Sequence, residues 1–260
     1  MLPIEEIEKK IGYTFQNKAL LEQAFVRRGY SAERGGQNNE VLEFIGDAVL
    51  YSAVTRLMME RFGTVAEDAD APKYFCTKYN EGEFTEMRKD LVQKAALSKA
   101  MDALGFHAYL VMGKGETEEN VQNEASVKAD LFEAVLGAVA LDCDWDMGVL
   151  TKVVLNTTDF ADYFTHAKEH LLRLWKARLI EAIGEPKEIT AVTKLNELMQ
   201  KGLIKEVLYA FRQEQDGWRC DCVVQETGYS FPAVADSKSK AKGAAAYAAL
   251  RAVVFLAKKG

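Results

Sequence analysis

The chain has 260 residues, 48% of them hydrophobic and 28% charged, with 18 Gly and 4 Pro. That composition fits one or two soluble globular domains and excludes collagen-like or long disordered architectures. No apolar run approaches the roughly 18 residues of a membrane span, and MLPIEEIEKKIGY at the start lacks the basic-then-apolar order of a signal peptide. The net charge of −6 is uneven. Residues 189–260 hold 11 Lys and Arg against 7 Asp and Glu, a net of +4, which leaves −10 on the rest. Acidic clusters can hold divalent cations and basic patches phosphate, although charge also varies between domains for no functional reason.

In chain order, Ile4, Ile7 and Ile11, then Leu20, Leu21 and Phe25, recur at helical spacing before the glycine-rich RGGQNN (34–39). Residues 40–59 form a long apolar-periodic run whose one interior glycine is Gly46. Residues 63–82 read as irregular, and 83–104, 126–141 and 160–183 as helical, the last stopping at Gly184 and Pro186. Beyond Pro186 the period changes. A helix over 191–201 precedes three short strands, 206–214, 218–226 and 229–235, with Asp216-Gly217 as a tight hairpin signal. Ser237 is placed to cap a final helix over 241–257. The four cysteines, Cys76, Cys143, Cys220 and Cys222, form no CxxC pair. A reducing cytoplasm is therefore expected rather than a disulfide framework or zinc site.

Two segments concentrate chemistry. In NNEVLEFIGDAVL (38–50), Glu40, Glu43 and Asp47 follow spacings of three and four and so share one helix face. In SVKADLFEAVLGAVALD (126–142), Asp130 and Glu133 lie three apart. Both helices are apolar on most other sides, so both are expected to be largely buried. Buried like charges need counter-cations, and an all-oxygen set favours Mg²⁺ or Mn²⁺ over Zn²⁺. The other reading, two solvated stripes, stays open on spacing alone. His166 and His170 are four apart on one expected helix but have no third ligand in sequence. Trp145, Trp175 and Trp218 read as packing residues.

NNEVLEFIGDAVL resembles the NExLEFxGDxxL signature of the ribonuclease III family. ADLFEAVLGAVALD resembles that family's second acidic helix, EGEFTEMRKDLV (81–92) its EGxLTxxRxxLV helix and YLVMGKGE (109–116) its YLxLGKGE turn. The four motifs come in the family's order. The resemblance implies an all-α nuclease domain over 1–158, a helical extension and linker over 159–188, and a small α+β (α-β-β-β-α) double-stranded RNA-binding domain over 189–258. It implies an endoribonuclease that hydrolyses double-stranded RNA with Mg²⁺, for which Mn²⁺ may substitute. Products would have 5′-phosphate and 3′-hydroxyl ends with 3′ overhangs, as in ribosomal and messenger RNA processing. Carried over by motif, the metal ligands are Glu43, Asp47, Asp130 and Glu133, with Asp47 and Glu133 catalytic and Glu40 and Glu81 as further acidic positions. One nuclease domain implies a homodimer, with Phe44 and Ile45 at the twofold axis or, alternatively, in the core. A non-catalytic RNA-binding protein of the same fold is the alternative function.

SKSKAKGAAAYAAL (237–250) resembles the lysine-bearing helix start of the double-stranded RNA-binding domain. The resemblance implies phosphate contacts from Lys238, Ser239, Lys240 and Lys242, and minor-groove contacts from Thr193, Asn196 and Glu197 on the first helix. The chain also departs from the family pattern. Val26, Arg27 and Gly29 stand where the family has THxS, Ser239 replaces a lysine, residues 63–80 are extended, and only Gln215–Gly217 joins the first two strands. The short joint predicts weaker RNA binding by this domain alone, and the extension suggests a narrowed substrate choice.

Overall fold

The computed structural model describes residues 2–65 and 74–258. The chain divides into two compact units, Met1–Ala167 and Lys168–Gly260.

The first unit is almost entirely helical. Helix α1 (Ile4–Ile11) buries Ile7 and Ile11 and ends at Gly12, whose φ of 72° lets its N–H return to the Glu8 carbonyl. Helix α2 (Lys18–Ala24) is capped by the Asn17 side chain, which accepts from the Ala19 N–H. A short helix α3 (Arg28–Arg34), without an apolar stripe to announce it, precedes α4 (Glu40–Phe62). Two strands, β1 (Gly63–Val65) and β2 (Phe75–Thr77), pair antiparallel with Thr64 opposite Cys76. The segment expected to be irregular is thus ordered at its ends, and the rest of the 63–80 extension, residues 66–73, lies outside the described residues.

Helices α5 (Glu81–Val92) and α6 (Lys94–Leu104) replace the single helical stretch expected over 83–104. The break is at Gln93, which is extended (ψ 148°) and whose side-chain amide donates to the carbonyl and carboxylate of Asp90. Then follow α7 (Lys114–Glu118), α8 (Ala125–Asp142), α9 (Met147–Thr157) and α10 (Phe160–Thr165). Helix α8 is buried nearly all round through Val127, Leu131, Phe132, Val135, Leu136 and Val139, as its lack of a polar face requires. Each such side chain contributes about 1.5–3 kcal/mol on burial.

Helix α4 runs along α8 and buries Leu42, Val49, Leu50, Val54 and Met58 against the unit's core. Its opposite side is open. Phe44 is 79% exposed and Val41 65% exposed, so the expectation of a largely buried helix fails there, because among the described residues no element covers that face. The two helices approach closely at a pair of glycines. A Cβ on Gly46 would lie 1.7 Å from the Glu133 carbonyl oxygen, and one on Gly137 would lie 2.0 Å from that of Leu42.

The second unit begins with α11 (Ala167–Ile183), so the stretch expected as one helix over 160–183 is two. The chain turns at His166, whose ring Nδ1 lies 3.1 Å from the Asp162 carbonyl. His166 and His170 therefore fall on either side of a break, and the His170 ring pairs with Arg173. Leu179 and Ile183 enter the second unit's core, and residues 168–183 group with that unit. Helix α12 (Ala191–Gln200) and strands β3 (Val207–Glu214), β4 (Gly217–Val224) and β5 (Tyr229–Ala235) follow, in an antiparallel sheet ordered β3-β4-β5. Glu214 pairs with Gly217, so the joint is as short as the sequence reads, and Gly217 takes φ 139°. Cys220, Cys222 and Val224 point to one side and are buried with Leu195, Leu198, Ala245, Ala249 and Leu250. The last helix, α13 (Lys238–Lys258), starts three residues before its expected position, and the Ser237 hydroxyl accepts from the Lys240 N–H at 3.4 Å.

Candidate metal centre

The start of α4 is fixed by two asparagines. Buried Asn39 donates through its side chain to the Ala24 carbonyl (3.3 Å) and through its N–H to that of Val26 (2.9 Å), while the Asn38 side chain accepts from the Glu40 N–H (3.1 Å). The glycine crossing then sets the first turns of α4 directly against α8. As a result Glu43, Asp130 and Glu133, all partly buried, each offer a carboxylate oxygen within 4.8 Å of the others. These acids come from two helices 87 residues apart in sequence at their Glu43 and Asp130 positions, and local spacing alone could not bring them together.

Burial and mutual repulsion leave their mark. The Glu133 carboxyl is pushed up to about 7, first by burial and then by the charges of Asp47, Asp130 and Glu43. Glu43 is also raised, by burial first and Asp130 next, while Lys94 and Arg27 pull it back. Asp47 lies outside the trio, exposed on the same face of α4, yet close enough to act on Glu133. Glu40 is exposed and pairs with Arg28 at 3.4 Å. Glu81 accepts from the Thr85 hydroxyl at 3.1 Å and borders a separate cleft of about 300 Å³ with Thr55, Met58 and Arg88.

Three groups at the centre went unassigned in the sequence. Lys94, at the start of α6, lies 3.5 Å from Asp130. Arg27 lies 3.9 Å from Asp130 and 3.1 Å from Glu116. Arg27 showed only as a departure from a motif and Glu116 only as the last letter of the GKGE turn, and nothing local marks Lys94.

In the second unit, Lys238, Ser239, Lys240 and Lys242 occupy the first turns of α13. The Lys238 ammonium sits 4.1 Å from the centre of the Trp218 ring, and that of Lys242 sits 4.3 Å from the Tyr209 ring. Lys240 pairs with Asp236 at 2.6 Å. Trp218 thus supports a cation as well as packing. Trp175 packs with its N–H on the Leu203 carbonyl (2.8 Å), but Trp145, expected to pack, is 49% exposed on a positive-φ turn after α8. On α12, Thr193 and Asn196 are exposed, and Glu197 is held by Lys194 at 2.7 Å, which lowers its carboxyl below the usual range.

A helical unit with convergent carboxylates, followed by a small α-β-β-β-α unit whose last helix opens on lysines, defines a two-domain protein with an acidic centre and a basic helix start. A family model described as ribonuclease-III-like matches residues 17–157. The ribonuclease 3 of Idiomarina loihiensis is 30% identical over 253 residues, covering 95% of this chain and 94% of that one. The chain belongs to the ribonuclease III family: its first unit has the family's mostly helical nuclease fold, and the second has the α-β-β-β-α order of a double-stranded RNA-binding domain. The ribonuclease 3 of Roseburia hominis is 48% identical over 165 residues, 59% of this chain and 46% of that protein. With that of Treponema succinifaciens the match covers 40% of the relative, so the chain spans about half the length of these two proteins or less. Among solved structures, the nuclease domain of ribonuclease III from Campylobacter jejuni is 26% identical, covering 59% of this chain and 95% of that one, with a TM-score of 0.47. Among the described residues no helix is long and apolar enough to cross a membrane.

Proposed function

We propose that the protein is an endoribonuclease that hydrolyses double-stranded RNA, with residues 1–158 as its nuclease domain and 189–258 as its RNA-binding domain. The observation that carries this reading is the carboxylate trio of Glu43, Asp130 and Glu133, with Asp47 beside it. The donor set suits Mg²⁺ or Mn²⁺: hard oxygens from two helices, with the Glu133 carboxyl raised to about 7 by burial and by the neighbouring carboxylates. Bound Mg²⁺ would supply an activated water and offset charge on the departing 3′-oxygen, leaving 5′-phosphate and 3′-hydroxyl ends.

The chain's own residues have distinct tasks in this reading. Glu43, Asp47, Asp130 and Glu133 would hold the metal. Glu40 and Glu81 are acids available to a second ion or, across a dimer, to the other site. Val41 and Phe44 form an exposed apolar patch beside Glu40 and Glu43, which supports a homodimer through this face. Two such sites on one duplex would cut both strands and leave 3′ overhangs. Lys238, Lys240 and Lys242 would meet phosphates, with Ser239 between them, while Thr193, Asn196 and Glu197 would meet the minor groove. Cytoplasmic processing of ribosomal and messenger RNA precursors is the matching role.

The test is cleavage of a labelled duplex RNA of about 30 base pairs in Mg²⁺, Ca²⁺ and EDTA, with Glu133→Gln alongside. Mg²⁺-dependent cuts lost in the variant support the nuclease. Binding without cleavage, unaffected by the substitution, overturns it in favour of a non-catalytic RNA-binding protein.

A further inference from the structure

The positive charge inside the acidic centre is not a surface accident. Arg27 Nη1 is 3.9 Å from Asp130 Oδ2 and Nε is 3.1 Å from Glu116 Oε1, and the three side chains are only 21%, 20% and 22% exposed. The first contact is Coulombic and the second a charge-assisted hydrogen bond. Both the backbone of Arg27 and the acid that holds its guanidinium are fixed. The Arg27 backbone N–H donates to the Val111 carbonyl at 2.9 Å. Glu116, its anchor, is itself held, because its other oxygen accepts from the Gly113 N–H at 3.0 Å. That carboxylate lies where a side chain at position 29 would go, since a Cβ on Gly29 would come within 2.3 Å of Glu116 Oε2. Arg27 and Gly29 both depart from the THxS of the family pattern, and the structure joins the two departures: the longer cation at 27 needs an anchored acid, and that acid needs an empty position 29.

We propose that Arg27 is an internal counter-cation of Asp130 that competes with the divalent ion for this carboxylate and so raises the concentration of metal the site requires. The inference rests on the metal reading of the trio. Lys94 meets the other Asp130 oxygen at 3.5 Å but is 66% exposed, so solvent screens it more than the enclosed Arg27. Arg27 acts through Asp130, and is therefore a positioning residue.

The experiment is titration of the full-length protein with Mn²⁺ at pH 8, following the free-ion signal by electron paramagnetic resonance. Wild type is compared with Arg27→Gln, Arg27→His, Arg27→Lys and Asp130→Asn, each checked for folding by circular dichroism. Histidine is the residue of the family pattern and is mostly neutral at this pH, so it gives a second neutral variant if glutamine does not fold. Arg27→Gln and Arg27→His are expected to bind Mn²⁺ about tenfold more tightly, as removal of one nearby positive charge from a partly buried site should allow. Arg27→Lys should stay near wild type. Unchanged or weaker binding in the neutral variants overturns the inference, as does equal tightening in Arg27→Lys. Wild-type protein with no Mn²⁺ binding that Asp130→Asn weakens overturns the metal reading and this inference with it.

Discussion

Glu133→Gln should stabilise the metal-free protein at pH 8. In the folded chain the Glu133 carboxyl is raised from 4.5 to about 7, so between those values the folded state holds a proton that the unfolded state has released. Stability must then fall as pH rises through this window, and the loss is complete above about 7. The full difference corresponds to about 3.4 kcal/mol at about 1.36 kcal/mol per unit, and screening by solvent at a partly exposed site reduces it to about 1–2 kcal/mol. Glutamine keeps the shape and removes the titration. Urea unfolding in EDTA at pH 4.5 and pH 8 measures the effect. The variant should match wild type within about 0.5 kcal/mol at pH 4.5 and exceed it by about 1–2 kcal/mol at pH 8. A variant less stable than wild type at pH 8 would refute the reasoning, because it would mean that ionised Glu133 already has a compensating partner.

Mg²⁺ should reverse that order: at 100 times its dissociation constant it stabilises wild type by about 2.7 kcal/mol, and Glu133→Gln should gain much less in the same unfolding assay. Gly46→Ala places a methyl 1.7 Å from a backbone carbonyl that cannot swing away. It should cost about 1–3 kcal/mol in urea unfolding and weaken Mn²⁺ binding by displacing Glu43 from Glu133; unchanged stability would show that the α4–α8 crossing is looser than this. Lys242→Ala should lower affinity for duplex RNAs of different sequence by a similar factor, and reduce the slope of log affinity against log salt by about 1. A sequence-selective loss in that titration would place Lys242 on a base instead.

What was legible in the sequence was set by local periodicity. Cys220, Cys222 and Val224 alternate onto one side of β4 as a strand requires, and Asp216-Gly217 placed the hairpin. The spacing of Glu40, Glu43 and Asp47 put three acids on one face of a helix, and the four motifs identified the family. The breaks at Gln93 and His166 were not legible, because neither is marked by Gly or Pro and at both the side chain bonds back to a carbonyl three or four residues earlier. Periodicity alone left Phe44 open between the core and a twofold axis, and its 79% exposure removes the core alternative. The convergence of Glu43 with Asp130 and Glu133 depends on tertiary structure. Its one trace in the sequence is the glycine in each motif, Gly46 and Gly137, where the helix backbones come close enough for carboxylates on both to meet.

The charges at the centre are arranged unevenly, and this bears on where an ion would be drawn. Both cations, the enclosed Arg27 and the exposed Lys94, reach Asp130. Among the described residues no ion pair reaches Glu133, whose carboxyl is raised first by burial and then by the charges of Asp47, Asp130 and Glu43, against a weaker pull from Lys94. The uncompensated negative potential therefore lies toward Glu133 and Asp47, away from the Arg27–Glu116 anchor. A divalent cation entering the trio at pH 8 gains most by approaching from the Glu133 side, where the negative charge is least compensated, and least at Asp130, where it meets two positive charges. On this ground Glu133→Gln should weaken Mn²⁺ binding more than Asp130→Asn. Equal losses in a side-by-side titration would mean that the two carboxylates hold the ion symmetrically and that Arg27 moves aside.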